Sequence, residues 1–135
     1  MVTRKTDYSI RILRTLSEGT QFTVREICER ELLPQQFAYK LLKKLERAGW
    51  VRISRGAEGG CLLTADLTKC SLYDLMMIME EDGCVASCTD PHFQCQWRQQ
   101  KQLPCTVHRH LCQIQQTLDR ELKSHSLAQI LFDEN

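Results

Sequence analysis

The stretch 83–112 reads GCVASCTDPHFQCQWRQQKQLPCTVHRHLC and constrains this chain more than any other feature. It holds five of the eight cysteines, at 84, 88, 95, 105 and 112, with His92, His108 and His110 between them. Cysteine and histidine at this density imply a metal, a redox function or a disulfide staple. Length argues against the staple, because 135 residues bury a core without one. No apolar run follows the basic start, and no stretch approaches the ~20 apolar residues of a membrane span. The expectation is a cytoplasmic protein with no membrane partner, in which thiols stay reduced and clustered cysteines bind metal or sense redox state.

Net charge is only +1, but the charge is unevenly spread. Residues 1–64 carry 12 Lys/Arg against 7 Asp/Glu, a net of +5, and residues 65–135 carry 6 against 10, a net of −4. A basic half joined to an acidic half suggests that the first faces a polyanion, although differences of a few residues also arise by chance.

Residues 6–17 have helical periodicity, with Tyr8, Ile12 and Leu16 four apart and Leu13 beside them. Thr6 is the expected cap, and Asp7 lies in the first turn, where a carboxylate suits the helix dipole. Thr23 and Glu26 form a capping-box pattern that opens a second helix to about Arg30, with Val24 and Ile27 inward. Pro34 opens a third helix to about Ala48. Its inner stripe is Phe37, Leu41 and Leu45, helped by Ala38 and Leu42. Its outer stripe is Gln36, Lys40, Lys43 and Arg47, flanked by Tyr39.

Two helices, a tight joint and a third helix with a basic polar face follow the helix-turn-helix order, though many surface helices carry a solvated charged face. Residues 50–55 then alternate like a strand, 56–60 form a Gly-rich tip and 61–64 return. A hairpin directly after the third helix is a wing, with Arg55 at its tip in reach of a phosphate or a minor groove. Ser71 opens a further helix to about Glu80, and Glu81-Asp82-Gly83 breaks it. Cys105 begins a long helix to about Ser124, on which Val107, Leu111, Ile114, Leu118 and Leu122 form a seam for another helix. Glutamines and charges are expected on its other side. Leu127, Ile130 and Leu131 suggest a short closing helix.

The expected fold is mainly α with a small β-hairpin: a winged helix-turn-helix and a long C-terminal dimerisation helix. The expected segments are 1–66 for DNA binding, 67–82 as a connecting helix, 83–104 as a cysteine-rich loop, and 105–135 for dimerisation and closure.

The chain resembles the iron–sulfur winged-helix regulators of the IscR, NsrR and RirA type over essentially its whole length. The motifs that carry the resemblance are TDYSIR at 6–11, LPQQFAYKLLKKLERAGWV at 33–51, RGAEGGCLL at 55–63, SLYDLMMIME at 71–80, and the cysteine stretch before the long helix. Cys61 departs from it, standing where the family has an aromatic residue. The resemblance implies a homodimeric, cytoplasmic transcription factor on double-stranded operator DNA. It also implies an iron–sulfur cluster, with 4Fe–4S favoured over 2Fe–2S, that senses nitric oxide, redox state or iron supply.

By the same resemblance Cys88, Cys95 and Cys105 match the three cysteine ligands, with Cys84 an alternative to Cys88. For the fourth ligand, Asp7 of the partner subunit matches the NsrR type and His108 the IscR type. Helix spacing adds Cys112, since Cys105, His108 and Cys112 fall on one helix face. Thiolates are the donors such clusters require. Gln36, Tyr39 and Lys40 occupy positions that meet base edges in the family, Lys43 and Arg47 hold the backbone, and Arg55 is the wing contact. Two other readings keep the winged helix: a zinc site of Cys88, Cys95, Cys105 and His108, or a cluster-free thiol switch. An enzyme is not expected, because the sequence has no carboxylate–His metal motif, nucleophile elbow or phosphate loop.

Overall fold

In the N-terminal half the first helix sets the frame. The computed structural model describes residues 1–80 and 82–133, and places α1 at Arg4–Leu16. Thr3, not Thr6, caps it, accepting from the Lys5 N–H at 3.2 Å. The helix starts a turn ahead of the apolar pattern because Arg4 and Lys5 bear no periodicity signal, while Thr6 is buried for another purpose. Ile12, Leu13 and Leu16 are fully buried, each contributing about 1.5–3 kcal/mol by leaving water.

Thr23 caps α2 (Val24–Glu31) as expected, accepting from the Glu26 N–H at 3.2 Å. α3 spans Gln35–Arg47. Pro34 stands just before its first turn as the N-cap residue, with extended backbone, rather than inside that turn. Ala38, Leu41, Leu42 and Leu45 are buried, and half-buried Phe37 meets the Tyr8 ring edge-to-face at 5.5 Å. Gly49, at φ +78°, lets the chain turn from α3 into the hairpin.

The wing is an antiparallel pair, β1 (Val51–Ser54) and β2 (Gly60–Leu63), with Val51 opposite Leu63 and Ser54 opposite Gly60. Trp50 and Thr64 fall just outside the strands. Phe22 adds a bridge, exchanging both backbone bonds with Cys61. Gly60 is required there: a Cβ would lie 2.9 Å from the Phe22 carbonyl oxygen.

α4 (Leu72–Glu80) opens on the expected cap, with Ser71 Oγ accepting from the Asp74 N–H and Asp74 Oδ2 from the Ser71 N–H. The expected helix break includes Glu81, and the final segment includes Glu134 and Asn135; these three lie outside the described residues. The stretch 83–104 is not a bare loop. It contains a 3-10 turn, Ser87–Thr89, and a short α5, Gln96–Lys101. α6 (Thr106–Ser124) and α7 (Leu127–Phe132) follow, the latter with a complete capping box from Ser126 and Gln129.

One buried cluster joins α1, α2 and α3 to Val51, Cys61, Leu67, Leu75, Met79 and Leu127. α7 is drawn back onto it by the Leu127 N–H, which donates to the Cys70 carbonyl at 2.8 Å. No described helix is long and apolar enough to cross a membrane.

Candidate nucleic-acid interface and cysteine segment

α3 turns its apolar stripe into the core, so its opposite stripe must face solvent. Gln36, Tyr39, Lys40 and Arg47 are exposed there. Lys43 is half-buried, its ammonium over the Tyr39 ring at 5.8 Å and 4.0 Å from Glu46. Glu46 also accepts from the Ile53 N–H at 3.3 Å, which ties α3 to the first wing strand. Arg55 is exposed at the wing tip. The structure thus gathers five cationic or amide side chains and one tyrosine on one helix face and its wing, a surface suited to phosphates and base edges.

The last turn of α4 connects this surface to the cysteine segment. A helix end leaves carbonyls without helical partners. Lys44 of α3 donates to one of them, the Met79 oxygen, at 3.1 Å. The Glu80 carboxylate accepts from Thr6 Oγ1 at 2.8 Å and from Thr3 Oγ1. Burial alone pushes the Glu80 carboxyl up, but the two hydroxyls and Lys5 outweigh it and hold the group below its ordinary value. The segment therefore begins where α1, α3 and α4 are bonded together. Asp7 lies one helical turn from Thr3 and pairs with Arg11 at 3.0 Å.

The predicted cysteine ligands are spread over three elements. Cys84 precedes the 3-10 turn, Cys88 lies within it, and Cys95 is the N-cap residue of α5. Cys105 caps α6, its sulfur accepting from the His108 N–H at 3.4 Å, so a thiolate would sit at the positive end of the helix dipole. Cys112 Sγ lies 3.5 Å from His108 Nε2, so Cys105, His108 and Cys112 do share one face of α6. Among the described residues of the single chain, no three His, Cys, Asp or Glu side chains converge as a metal site.

All eight cysteines are free. Those outside the segment are protected by their surroundings. Burial pushes the Cys28 and Cys70 thiols up, and burial with nearby Glu46 pushes Cys61 up to about 11. Held as thiols in or beside the core, they are poor ligands and poor nucleophiles. Cys84 is also pushed up, first by burial. Cys88, Cys95 and Cys105 are only half-buried.

A known family model matches nearly the whole chain. The model described as Rrf2, iron-dependent transcriptional regulator, matches residues 2–133. The chain belongs to the Rrf2 family. Among curated relatives, it is 29% identical over 89 residues to protein aau3 of Rhizobium meliloti (strain 1021), covering 64% of this chain and 58% of that protein. It is 27% identical over 92 residues to the HTH-type transcriptional regulator NsrR of Bacillus subtilis (strain 168), covering 66% of this chain and 63% of that one. The match spans less than two thirds of either relative. Solved structures share the fold: oxidized CymR of Staphylococcus aureus has a TM-score of 0.73 at 17% identity, covering 100% of this chain and 98% of that one. The T. potens IscR structure has a TM-score of 0.70 at 20% identity, covering 98% and 87%.

Sequence reasoning missed Lys44, Glu80, Thr6 and Gln115 in this Rrf2 chain. Two left a trace. Lys44 stands three residues after Leu41, off the polar stripe. Gln115 sits between Leu111 and Leu118 within the apolar seam. The glutamines of α6 were expected on the outer side, yet Gln115 is the buried residue of that helix, while Val107 and Ile114 of the seam are 64% and 54% exposed. A polar residue at an apolar position is the signal that finds such sites.

Proposed function

We propose that this Rrf2-family chain is a homodimeric regulator of transcription. It binds double-stranded operator DNA through α3 and the wing, with its affinity governed by an iron–sulfur cluster. The observation that carries this reading is the α4 junction. The residues that precede the cysteine segment are bonded through Lys44 to the helix that faces DNA, and through Glu80 to α1. A change in the segment is thereby placed to move the reading head.

The donor set fits a cluster in kind. Cys88, Cys95 and Cys105 are free and half-buried, whereas Cys28 and Cys61 are held in the core and Cys70 packs against it. Bound there, the cluster supplies iron open to nitric oxide, oxygen or iron scarcity. The match of TDYSIR at 6–11 to the NsrR type favours Asp7 of the partner subunit as the fourth ligand, with His108 as the alternative. The seam of Val107, Leu111, Ile114, Leu118 and Leu122 is the proposed dimer contact: Val107 and Ile114 are exposed and the three leucines half-buried, and apolar side chains left in water on one helix face gain by pairing. Gln36, Tyr39 and Lys40 are assigned to base edges, Lys43 and Arg47 to the backbone, and Arg55 to the wing contact. Cytoplasmic residence follows from the same reading.

A second reading is a cluster-free thiol switch or a zinc-containing regulator. The fold likeness to CymR solved in an oxidized form, and the alignment of Cys105, His108 and Cys112 on α6, favour it. Metal analysis of anaerobically purified full-length protein separates the two. Iron with acid-labile sulfide in brown or red protein is the expected result. Colourless protein with one zinc per chain, or with no metal, supports the second reading.

A further inference from the structure

Gln115 is the buried residue of α6, only 9% exposed. A primary amide offers two N–H donors and an oxygen with two lone pairs. All four are used. Gln115 Oε1 accepts from the Val85 N–H at 2.6 Å and from Thr89 Oγ1 at 3.2 Å, the latter sharing its proton with the Ala86 carbonyl. Gln115 Nε2 donates to the Gly83 carbonyl at 2.8 Å and to Asp119 Oδ1 at 2.8 Å. Asp119 can only accept when ionised, so it fixes which way the amide points. The other three bonds run to both ends of residues 83–89.

The position of Gln115 gives this clamp a purpose. Cys105, His108, Cys112, Gln115 and Asp119 recur at alternating three- and four-residue spacing, which is one continuous face of α6. The clamp therefore seats the part of the segment that carries Cys84 and Cys88 on the face that carries Cys105, His108 and Cys112. Farther along, Phe93, Trp97 and Leu103 are exposed, so the half bearing Cys95 is not held in the same way.

We propose that Gln115 is a positioning residue for the cysteine site. It sets the register of Cys88 against the Cys105 face of α6 before any metal arrives, leaving the Cys95 half to close over it. Ordering one ligand segment in advance removes part of the entropy cost of assembling the site. This rests on the cluster reading above, but the clamp itself is testable without a cluster.

The test compares wild-type, Gln115→Leu and Thr89→Val full-length chains. The first change removes all four bonds at similar volume. The second removes the Thr89 hydroxyl with its bonds to Gln115 and to the Ala86 carbonyl, and spares the helix, in case the first does not fold. In apo protein, amide hydrogen exchange across 83–89 should rise about tenfold in Gln115→Leu and less in Thr89→Val, with α1–α4 exchanging as in wild type. In cluster-loaded protein, loss of iron to a chelator should quicken about tenfold in Gln115→Leu at an unchanged melting temperature of the α1–α4 core. Unaltered exchange in both variants overturns the clamp. Faster exchange with wild-type iron loss overturns the positioning role. A wild-type chain that never takes up iron and sulfide sinks the cluster reading instead, and the exchange arm then decides the clamp alone.

Discussion

Thr6→Val isolates the bond between α1 and the last turn of α4. Thr6 is 0% exposed, and its hydroxyl donates to the Glu80 carboxylate at 2.8 Å. Valine occupies the same space, so no cavity opens and only the hydrogen bond is lost. Hydrogen bonds to charged groups contribute about 1.5–3 kcal/mol. Glu80 keeps Thr3 as a donor, which places the loss in the lower half, about 1.5–2 kcal/mol. For a chain of this length that lowers the melting temperature by about 4–8 °C. The dependence on pH has a definite sign. The Glu80 carboxyl lies below its ordinary value, so its contribution is present above the unfolded value of about 4.3 and fades as pH falls through the lower folded value. Melts followed by circular dichroism at neutral pH should show the full difference, and melts at about pH 3.5 a smaller one. A variant that melts within about 1 °C of wild type at neutral pH refutes the assignment of Glu80 as the partner that holds α1 to α4.

Lys40→Ala and Arg55→Ala should each weaken operator binding, by about 1–3 kcal/mol for a base contact, and leave the cluster spectrum intact; wild-type binding by both rejects the docking through α3 and the wing. Cys88→Ala, Cys95→Ala and Cys105→Ala should each lose most iron and sulfide, whereas Cys28→Ala, Cys61→Ala and Cys70→Ala should keep them; full iron in the Cys88 variant moves that ligand to Cys84. For the fourth ligand, Asp7→Ala chains mixed with chains lacking Cys88, Cys95 and Cys105 should form one native-like cluster per heterodimer, because the intact cysteines then face a partner that retains Asp7. A spectrum like that of the Asp7→Ala homodimer shifts the assignment to His108.

Local patterns carried much of the fold. The helices α1 to α4, the wing and the long α6 each announce themselves through apolar spacing, a capping residue or glycines. The errors have physical causes. Thr6 looks like a cap because threonine before a helix usually is one, but its hydroxyl is used 74 residues away, by Glu80. α5 was invisible because Gln96–Lys101 is too short and too polar to show a period. Lys44 and Gln115 each bond backbone more than two dozen residues away in the chain, and no window of neighbouring residues encodes such a bond. The site was legible as a set of residue types, since thiol density and a basic helix face are local properties. Its connection to the reading head was not, because three elements meet there only after folding.

The central claim is that cluster state sets DNA affinity. Its most direct measurement is the operator affinity of anaerobically purified wild-type protein, before and after iron is removed, at one fixed salt concentration. Coupling between two sites of this kind is expected to change affinity by about 5–150-fold. Equal affinities for the two forms, with iron and sulfide confirmed in the first, contradict the account.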